Sequence, residues 1–347
     1  MLDQNSSDIA WLVSNVVSND HQELFDTELA SSRLRAGVCI KGCLEEGFNV
    51  MPLNFREPSH RPELVFMAKY VPDSNTGKYL DDSGTRWQIW LDKVAALKGW
   101  GAKLVVDYTD NHFQNPNIVG DFYRTIQPSI DALVVPSTKM LGHLKGSWDG
   151  PVEIIPEPVE VSFMAPNASA EKKIQPLTAL WFGHVTNLEY LFRFMATDLH
   201  KAPPERLIIL TNNSPTAAVQ QAALKAPKAT KIALGQWTLT SMQKAAQLAH
   251  YALIPSDKND LRKNGASPGR LLTSLALGLP TVAEPLESYL PFADYFQTTG
   301  TQESVRLMQD PFAFHAQVQT AQPVIQQSFT MQAIGKQWAQ FTKSLLV

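Results

Sequence analysis

One stretch of the sequence combines a helix start with positive charge, two features that favour phosphate binding. Ser267 and Pro268 predict the start, because a serine hydroxyl can cap the first N–H groups and proline fits the first turn. Free N–H groups at a helix start carry partial positive charge and attract anions. Arg270 in the first turn and Lys263 before it can add full charge. The stretch therefore predicts a phosphate site, although an ordinary capped helix with a surface arginine fits the same pattern.

The segments around this helix predict strand, loop, helix and strand in succession. Residues 251–255 form a short apolar run typical of a buried strand, and a polar loop follows. Apolar residues recur at helical spacing over 271–279, and Gly278 ends the helix. Residues 280–283 predict the next strand. This order puts the helix start at the carboxyl edge of a parallel sheet, where α/β proteins bind ligands.

The composition indicates a globular protein of two domains. The 347 residues are 44% hydrophobic and 18% charged, enough for a core in each domain. A formal net charge of −3 lacks the basic excess typical of nucleic-acid binding. Cys39 and Cys43 are spaced as buried thiols on one helix, which indicates a reducing, cytoplasmic setting. We expect neither a signal peptide nor a membrane span, because the first residues include acidic ones and no apolar run approaches about 18 residues.

Strands and helices alternate along the chain, which predicts parallel sheets covered by helices. The apolar runs that predict strands lie at 9–17, 48–53, 64–70, 104–108, 132–136, 152–156, 177–182, 207–211, 231–234, 251–255 and 280–283. We therefore predict an α/β protein with Rossmann-like domains at 1–160 and 177–329. A proline-containing linker is predicted at 161–176 and a final helix at 330–347.

Several short segments occur in an order known from one group of enzymes. The second half carries L-W-F-G-H (180–184), A-H-Y-A-L-I-P-S-D (249–257) and K-N-G-A-S-P-G-R-L-L-T-S-L-A-L-G-L-P-T-V-A-E (263–284). The first half carries V-V-D-Y-T-D-N-H-F (105–113) and I-I-P-E-P-V-E (154–160). Together they resemble glycosyltransferases of the GT-B fold, in the broad group of families 1 and 4. No single piece is specific, and the resemblance rests on their order over most of the chain.

The resemblance implies two Rossmann-like domains facing a cleft, with the last helix crossing back to the first domain. The second domain would bind a nucleotide-diphosphate sugar and the first an acceptor. The diphosphate would rest on the helix start described above, near Gly183 and His184, since glycine allows a close backbone approach. Base and ribose would lie at strand ends, near Asn212, Asn213 and Trp237. No metal ion or cofactor is implied.

The sequence departs from this group where many retaining members carry an E-x7-E pair. Gly265 and Thr273 stand at those positions, and neither supplies a carboxylate. Glu284 and Glu287, just past the last predicted strand of the second sheet, can supply one for the sugar hydroxyls. The donor, the stereochemical outcome and catalytic competence therefore stay open at this stage.

Sugar transfer with inversion needs a base for the acceptor hydroxyl. Asp110 and His112 follow the fourth predicted strand, where an aspartate can orient a histidine that acts as the base. Local structural roles fit both residues equally well. Arg35 can bind the acceptor or a phosphate, or can form a surface ion pair.

These features favour a bacterial, cytoplasmic glycosyltransferase that acts on a polysaccharide, lipid-linked or protein acceptor. Peripheral association with the inner face of the membrane is an open alternative location. Two other functions stay open: a GT-B sugar-nucleotide epimerase, and a ligand-binding or scaffold protein that has lost catalysis. A dinucleotide dehydrogenase is disfavoured, because neither half has G-x-G-x-x-G after its first strand. No nucleic-acid partner is expected.

Overall fold

The protein was studied as a computed structural model, which describes residues 8–13, 22–27, 29–53, 61–70, 85–166, 175–212, 226–260, 263 and 265–346. The chain forms two compact units. The first comprises Met1–Pro158, Gly265–Ser267 and Met331–Val347, and the second comprises Val159–Asn264 and Pro268–Thr330.

A parallel sheet of six strands lies at the centre of the first unit. Its strands are β1 (Asp8–Leu12), β2 (Asn49–Leu53), β3 (Leu64–Met67), β4 (Lys103–Asp107), β5 (Ala132–Val135) and β6 (Val152–Ile154). They are ordered β2-β1-β3-β4-β5-β6. The α-helices between them are α1 (Glu23–Asp26), α2 (Val38–Glu45), α3 (Thr85–Gly99), α4 (Ile118–Ile126) and α5 (Thr138–His143). A π-helical segment, Ser32–Gly37, leads into α2.

The second unit repeats this architecture. Its strands are β7 (Thr178–Gly183), β8 (Arg206–Thr211), β9 (Lys231–Gln236), β10 (Tyr251–Ile254), β11 (Thr281–Ala283) and β12 (Gln297–Thr298). They are parallel and ordered β12-β11-β10-β7-β8-β9. Its helices are α6 (Leu188–Ala196), α7 (Leu239–Leu248), α8 (Gly269–Ala276), α9 (Gln302–Gln309) and α10 (His315–Ser328).

Short 3-10 helices complete the connections. They are Gln127–Ser129, Val185–Asn187, Asp198–Lys201, Glu287–Tyr295 and Pro311–Phe314.

The central strands of each sheet are buried on both faces, and their successive residues point to opposite sides of the sheet. In β4, Leu104 and Val106 enter one core of the first unit while Val105 enters the other. In β10, Leu253 and Ile254 divide in the same way between the two cores of the second unit. Polar chemistry is therefore concentrated at the ends of the strands.

The last helix, α11 (Met331–Leu345), packs against α2 in the first unit, as predicted. Glycines allow the two helices to approach closely, since a Cβ added to Gly42 would lie 2.2 Å from the carbonyl oxygen of Gly335. Trp338 then fills the space beside Trp11 and Phe66, with both ring centroids 5.5 Å from its own. This packing makes the C-terminal segment part of the first core.

The predicted alternation of strands and helices is confirmed in both units, with differences at the ends of elements. The predicted first strand continued to residue 17, but residues 14–17 lie outside the described part of the chain. Strand β12 is not predicted, because its two polar residues carry no apolar pattern. The domain limits and the linker at 161–176 stay predictions, and residues 167–174 lie outside the described part.

Two further observations bear on the expected setting. No helix among the described residues is long and apolar enough to cross a membrane. Cys39 and Cys43 are free thiols, buried on α2 with their Sγ atoms 3.9 Å apart.

Candidate functional site

Arg270 is the most informative residue at the carboxyl edge of the second sheet. It is the second residue of α8, and its Nη1 atom would lie 3.3 Å from a Cβ built on Gly183. Nη1 is buried and has no hydrogen-bond partner within the described residues. Leaving such a donor unsatisfied costs about 1–3 kcal/mol or more, unless a ligand accepts from it. The geometry fits an anion bound between the guanidinium and the end of β7.

Gly183, the last residue of β7, keeps this space open. A Cβ there would lie 3.2 Å from Cζ2 of Trp181 as well as against Arg270, so a side chain would displace the guanidinium or the indole. A glycine also lets a phosphate oxygen reach the backbone. The exposed His184 follows, and its Nδ1 accepts from the N–H of Thr186 at 3.3 Å. His184 therefore caps the turn that leads into α6.

The start of α8 differs from the prediction. The helix begins at Gly269 with Pro268 as its N-cap, and no side chain caps it. The hydroxyl of Ser267 accepts instead from the backbone N–H of Glu157 at 3.2 Å, and Ser267 belongs to the first unit. The prediction that Ser267 caps the helix is wrong, because a distant backbone donor competes for its hydroxyl. The first N–H groups of α8 therefore have no side-chain cap.

The strand register orders the polar residues along this edge. Ile254 pairs with Ala283, Gly183 with Thr211, and Thr211 with Gln236. The residues just past the strand ends therefore follow one another in the order Glu284, Ser256, His184, Asn212 and Trp237. Neighbouring strands lie about 4.8 Å apart, so this row spans roughly 20 Å. That length suits an extended ligand such as a nucleotide-diphosphate sugar.

On one side of Gly183, the row offers hydroxyl and carboxylate groups. The Ser256 hydroxyl is buried and has no hydrogen-bond partner among the described residues. The carboxylate of Glu284 accepts from the hydroxyl of Thr299 at 2.6 Å. These groups match what a bound sugar needs, since sugar hydroxyls both donate and accept. Ser256 was not singled out from the sequence, although it directly follows a predicted strand.

On the other side, the row offers an amide and an indole. The Asn212 side-chain oxygen accepts from the N–H of Val185 at 2.9 Å, which fixes the turn after β7. The backbone N–H of Trp237 donates to Thr211, and its half-buried ring packs against the core. Asn213, the other residue predicted here, lies outside the described residues.

Two contacts fix the loop between β10 and α8 to helix α6. The Tyr190 hydroxyl donates to Asp260 at 2.6 Å, and Arg193 pairs with Asp257 at 3.2 Å. Burial, reinforced by the Asp260 carboxylate, raises the pKa of Tyr190 and keeps its hydroxyl a donor. Lys263 lies farther along this loop, where its backbone N–H donates to the carbonyl of Asp260. The loop before Arg270 is therefore anchored on one side of the site.

Arg35 has a structural role that the sequence did not predict. Its guanidinium donates to both carboxylate oxygens of Asp107, the shortest contact being 2.6 Å, and to the carbonyl oxygen of Ile155. The Arg35 and Asp107 side chains are 0% and 1% exposed, and Arg35 lies over the ring of Trp338 at 4.9 Å. The predicted surface ion pair is wrong, because the pair that Arg35 forms is buried, and its role as a ligand for acceptor or phosphate stays a prediction. The sequence could not show that Arg35 is buried and paired with Asp107, which is 72 residues away in the chain.

The structure brings Asp110 and His112 together with a third group, Lys69. Lys69 pairs with the carboxylate of Asp110, and His112 Nε2 lies 3.9 Å from it. The His112 ring stacks on Tyr123, with centroids 4.6 Å apart. The pKa of His112 falls to about 4, because the lowering by burial, to which Lys69 adds, outweighs the opposing effect of Asp110. His112 is therefore neutral at pH 7 and a weak base, and its predicted catalytic role stays untested.

The positions of the missing carboxylate pair have definite local structures. The carbonyl of Gly265 accepts from the hydroxyl of Ser137 at 2.8 Å. A Cβ on Gly265 would lie 2.7 Å from the Met140 Cε and 3.2 Å from the ring of His143, so a larger side chain would have to displace them. Thr273 is buried on α8. A glutamate at position 265 thus has no ready space in this structure.

Comparisons with solved structures identify the fold. HepE of Anabaena, in complex with UDP and glucose, is 13% identical, with a TM-score of 0.62 and 97% of this chain and 100% of that chain covered. AviGT4, a glycosyltransferase involved in avilamycin A biosynthesis, is 11% identical, with a TM-score of 0.58 and 98% of each chain covered. The lipopolysaccharide outer core galactosyltransferase WaaB is 12% identical, with a TM-score of 0.58 and 97% and 99% covered.

The predicted GT-B fold is therefore confirmed, and identities this low establish the fold alone. No protein-family profile and no curated protein sequence matches the chain.

Proposed function

We propose that the protein is a glycosyltransferase that moves a sugar from a nucleotide-diphosphate sugar to a polysaccharide, lipid-linked or protein acceptor. The observation that carries this proposal is the buried, unpartnered Nη1 atom of Arg270 beside Gly183. A diphosphate supplies charged acceptors for this donor, and charge-assisted hydrogen bonds of this kind are among the strongest in proteins. The uncapped start of α8 adds partial positive charge at the same place.

The arrangement along the strand ends supports a sugar nucleotide over a simple phosphate. Glu284 and Ser256 lie on one side of Gly183 and can bind sugar hydroxyls, whereas Asn212 and Trp237 lie on the other and can bind base and ribose. HepE, which shares the fold, was solved with UDP and glucose. Arg270 would also stabilise the leaving diphosphate as its charge develops.

The proposal extends to the setting of the reaction. The two reduced thiols on α2 fit a cytoplasmic protein, and a lipid-linked acceptor would be met at the inner face of the membrane. Transfer is proposed to need neither a metal ion nor another cofactor, because Arg270 and the helix start supply the positive charge.

A panel of nucleotides tests this function. The thermal stability of the protein is measured alone and with UDP-, GDP-, ADP- and dTDP-glucose, each at increasing concentration. A ligand of the folded state raises the melting temperature, and a concentration of about 100 Kd adds about 2.7 kcal/mol of stability. We expect one diphosphate nucleotide to stabilise the protein, with the matching monophosphate and free glucose as weaker controls. No shift with any nucleotide would contradict the proposal.

A further inference from the structure

Tyr190 is a buried tyrosine of the second unit whose hydroxyl holds a loop that follows a different strand. It is the third residue of α6 and is 3% exposed. Its hydroxyl donates to the carboxylate of Asp260 at 2.6 Å. A length of about 2.5–2.7 Å is typical of a hydrogen bond from a hydroxyl to a charged carboxylate, and such bonds are stronger than those between neutral groups. This contact is therefore strong enough to fix the position of the loop.

Helix α6, which carries Tyr190, is held in a fixed position relative to Gly183. Gly183 ends β7, and the 3-10 turn Val185–Asn187 leads directly into α6. The backbone N–H of Val185 donates to the Asn212 side chain at 2.9 Å, which ties this turn to the end of β8. The Tyr190 hydroxyl is therefore carried by a short, hydrogen-bonded segment that begins at Gly183.

The loop that Tyr190 holds begins at the carboxyl end of β10, the strand beside β7. Its turns are tight, because the N–H of Asn259 donates to the Asp257 carboxylate at 2.9 Å and that of Asp260 to the Asp257 carbonyl at 3.1 Å. Ser256 directly precedes these turns, and its buried hydroxyl has no partner among the described residues. A shift of Asp260 would thus move Ser256 with it.

A second contact between the same helix and loop is weaker. Arg193 lies one turn further along α6, where it pairs with Asp257 at 3.2 Å and lies over the Tyr190 ring at 5.1 Å. Its side chain is 60% exposed, and exposed ion pairs add little stability. The buried hydrogen bond of Tyr190 is therefore the main connection between α6 and the loop.

We infer that Tyr190 is a positioning residue for the diphosphate of the sugar nucleotide; this rests on the proposed glycosyl transfer. Its hydrogen bond to Asp260 holds the loop after β10 at a set distance from the turn after β7. These two segments follow neighbouring strands at the edge where the Nη1 atom of Arg270 lies beside Gly183. Tyr190 touches no ligand group in this role. A loop that is ordered before the ligand arrives lowers the entropy cost of binding.

Titration calorimetry of the wild type, Tyr190→Phe and a matched control tests this role. The probes are UDP, GDP, ADP and dTDP, which carry the diphosphate. Tyr190→Phe removes only the hydroxyl, and we expect the Kd to rise roughly 10-fold, because the freed loop must then be ordered on binding. The control is Tyr251→Phe on β10, which removes a buried hydroxyl that has no partner among the described residues. Its Kd should equal that of the wild type.

The calorimetric titration also separates positioning from support of the fold. A variant that only folds less well has fewer binding sites per molecule, yet each folded molecule binds with an unchanged Kd. A double-mutant cycle adds the partner, with Asp260→Ala measured alone and together with Tyr190→Phe. If the two residues act through one hydrogen bond, the double variant should bind about as weakly as either single variant.

The outcomes divide clearly. An unchanged Kd in Tyr190→Phe, with or without a loss of binding sites, overturns the inference and leaves the nucleotide site intact. An equal rise of the Kd in Tyr251→Phe also overturns it, as do losses that multiply in the double variant. A wild-type protein that binds none of the nucleotides contradicts the proposed function itself, and the inference fails with it.

Discussion

Two arginines lie at the carboxyl edges of the two sheets, and their surroundings are opposite. Arg35 is fully buried and donates to Asp107 and to a backbone carbonyl. Arg270 is half-buried, and its Nη1 is enclosed without a partner among the described residues. The two residues have the same chemistry, and each lies in a helical segment that follows a strand of its own sheet. They differ in the number of hydrogen-bond acceptors that the fold places around the guanidinium group.

This difference separates a structural cation from one available to a ligand. A guanidinium whose three nitrogens all donate to acceptors within the protein, as those of Arg35 do, holds the fold together. Arg270 differs, because its buried Nη1 lies beside Gly183 and has no hydrogen-bond acceptor among the described residues. A bound anion would supply that acceptor. Stability and binding should therefore respond in opposite ways to the loss of each arginine.

The largest effect is expected from Arg35→Met. The substitution leaves Asp107 buried without its counter-ion, and breaking a buried pair in this way costs about 3–5 kcal/mol. Urea unfolding measures the loss in the transition that includes the first unit. Arg270→Met is the matched control and should not destabilise the protein, because it removes a buried donor that has no partner among the described residues and leaves no protein acceptor unpaired. Equal losses in the two variants would abolish the distinction.

A second variant tests whether the cost arises from the unpaired Asp107 carboxylate. Adding Asp107→Leu to Arg35→Met removes both charges, and replacing a buried pair by apolar groups is often neutral for stability. The double variant should therefore recover much of the loss. No recovery would mean that the contacts of Arg35 with Ile155 and Trp338 dominate.

Nucleotide binding should show the reverse pattern. Arg270→Ala removes a charge-assisted hydrogen bond to the diphosphate, and we expect affinity to fall by about 3 kcal/mol, or roughly 100-fold. Titration calorimetry with the nucleotide selected by thermal stability measures this change. Arg306→Ala is the control, because Arg306 is 61% exposed on α9 and pairs with Glu303. Undiminished nucleotide binding by Arg270→Ala would contradict the assignment of the phosphate site to Arg270.

The comparison of the two arginines also shows how far the sequence alone could predict the molecule. Apolar runs and helix stops located most strands and α8, because these signals are local. The place of Arg270 in the first turn of α8 followed from the same local pattern. The ion pair of Arg35 with Asp107 could not be predicted, because the two residues are distant in the chain and only the folded sheet brings them together. Ser267 was misassigned for the same reason, since its hydroxyl accepts from the backbone N–H of Glu157, 110 residues earlier in the chain.

The smallest effect is expected at His112. It tests whether this residue, at the carboxyl edge of the first sheet, has a structural role as Arg35 has. Its pKa of about 4 lies below the ordinary value of 6.5, so the unfolded chain takes up a proton first as the pH falls. The stability from neutral His112 is complete above pH 6.5 and is lost toward pH 4, by about 2 kcal/mol at pH 5. His112→Phe keeps the stacking on Tyr123 without a titrating group, so it should lose less stability than the wild type between pH 7.5 and pH 5. Parallel pH profiles of the two proteins in urea unfolding would show instead that folding does not change the pKa of His112. That result would restore His112 as a candidate base.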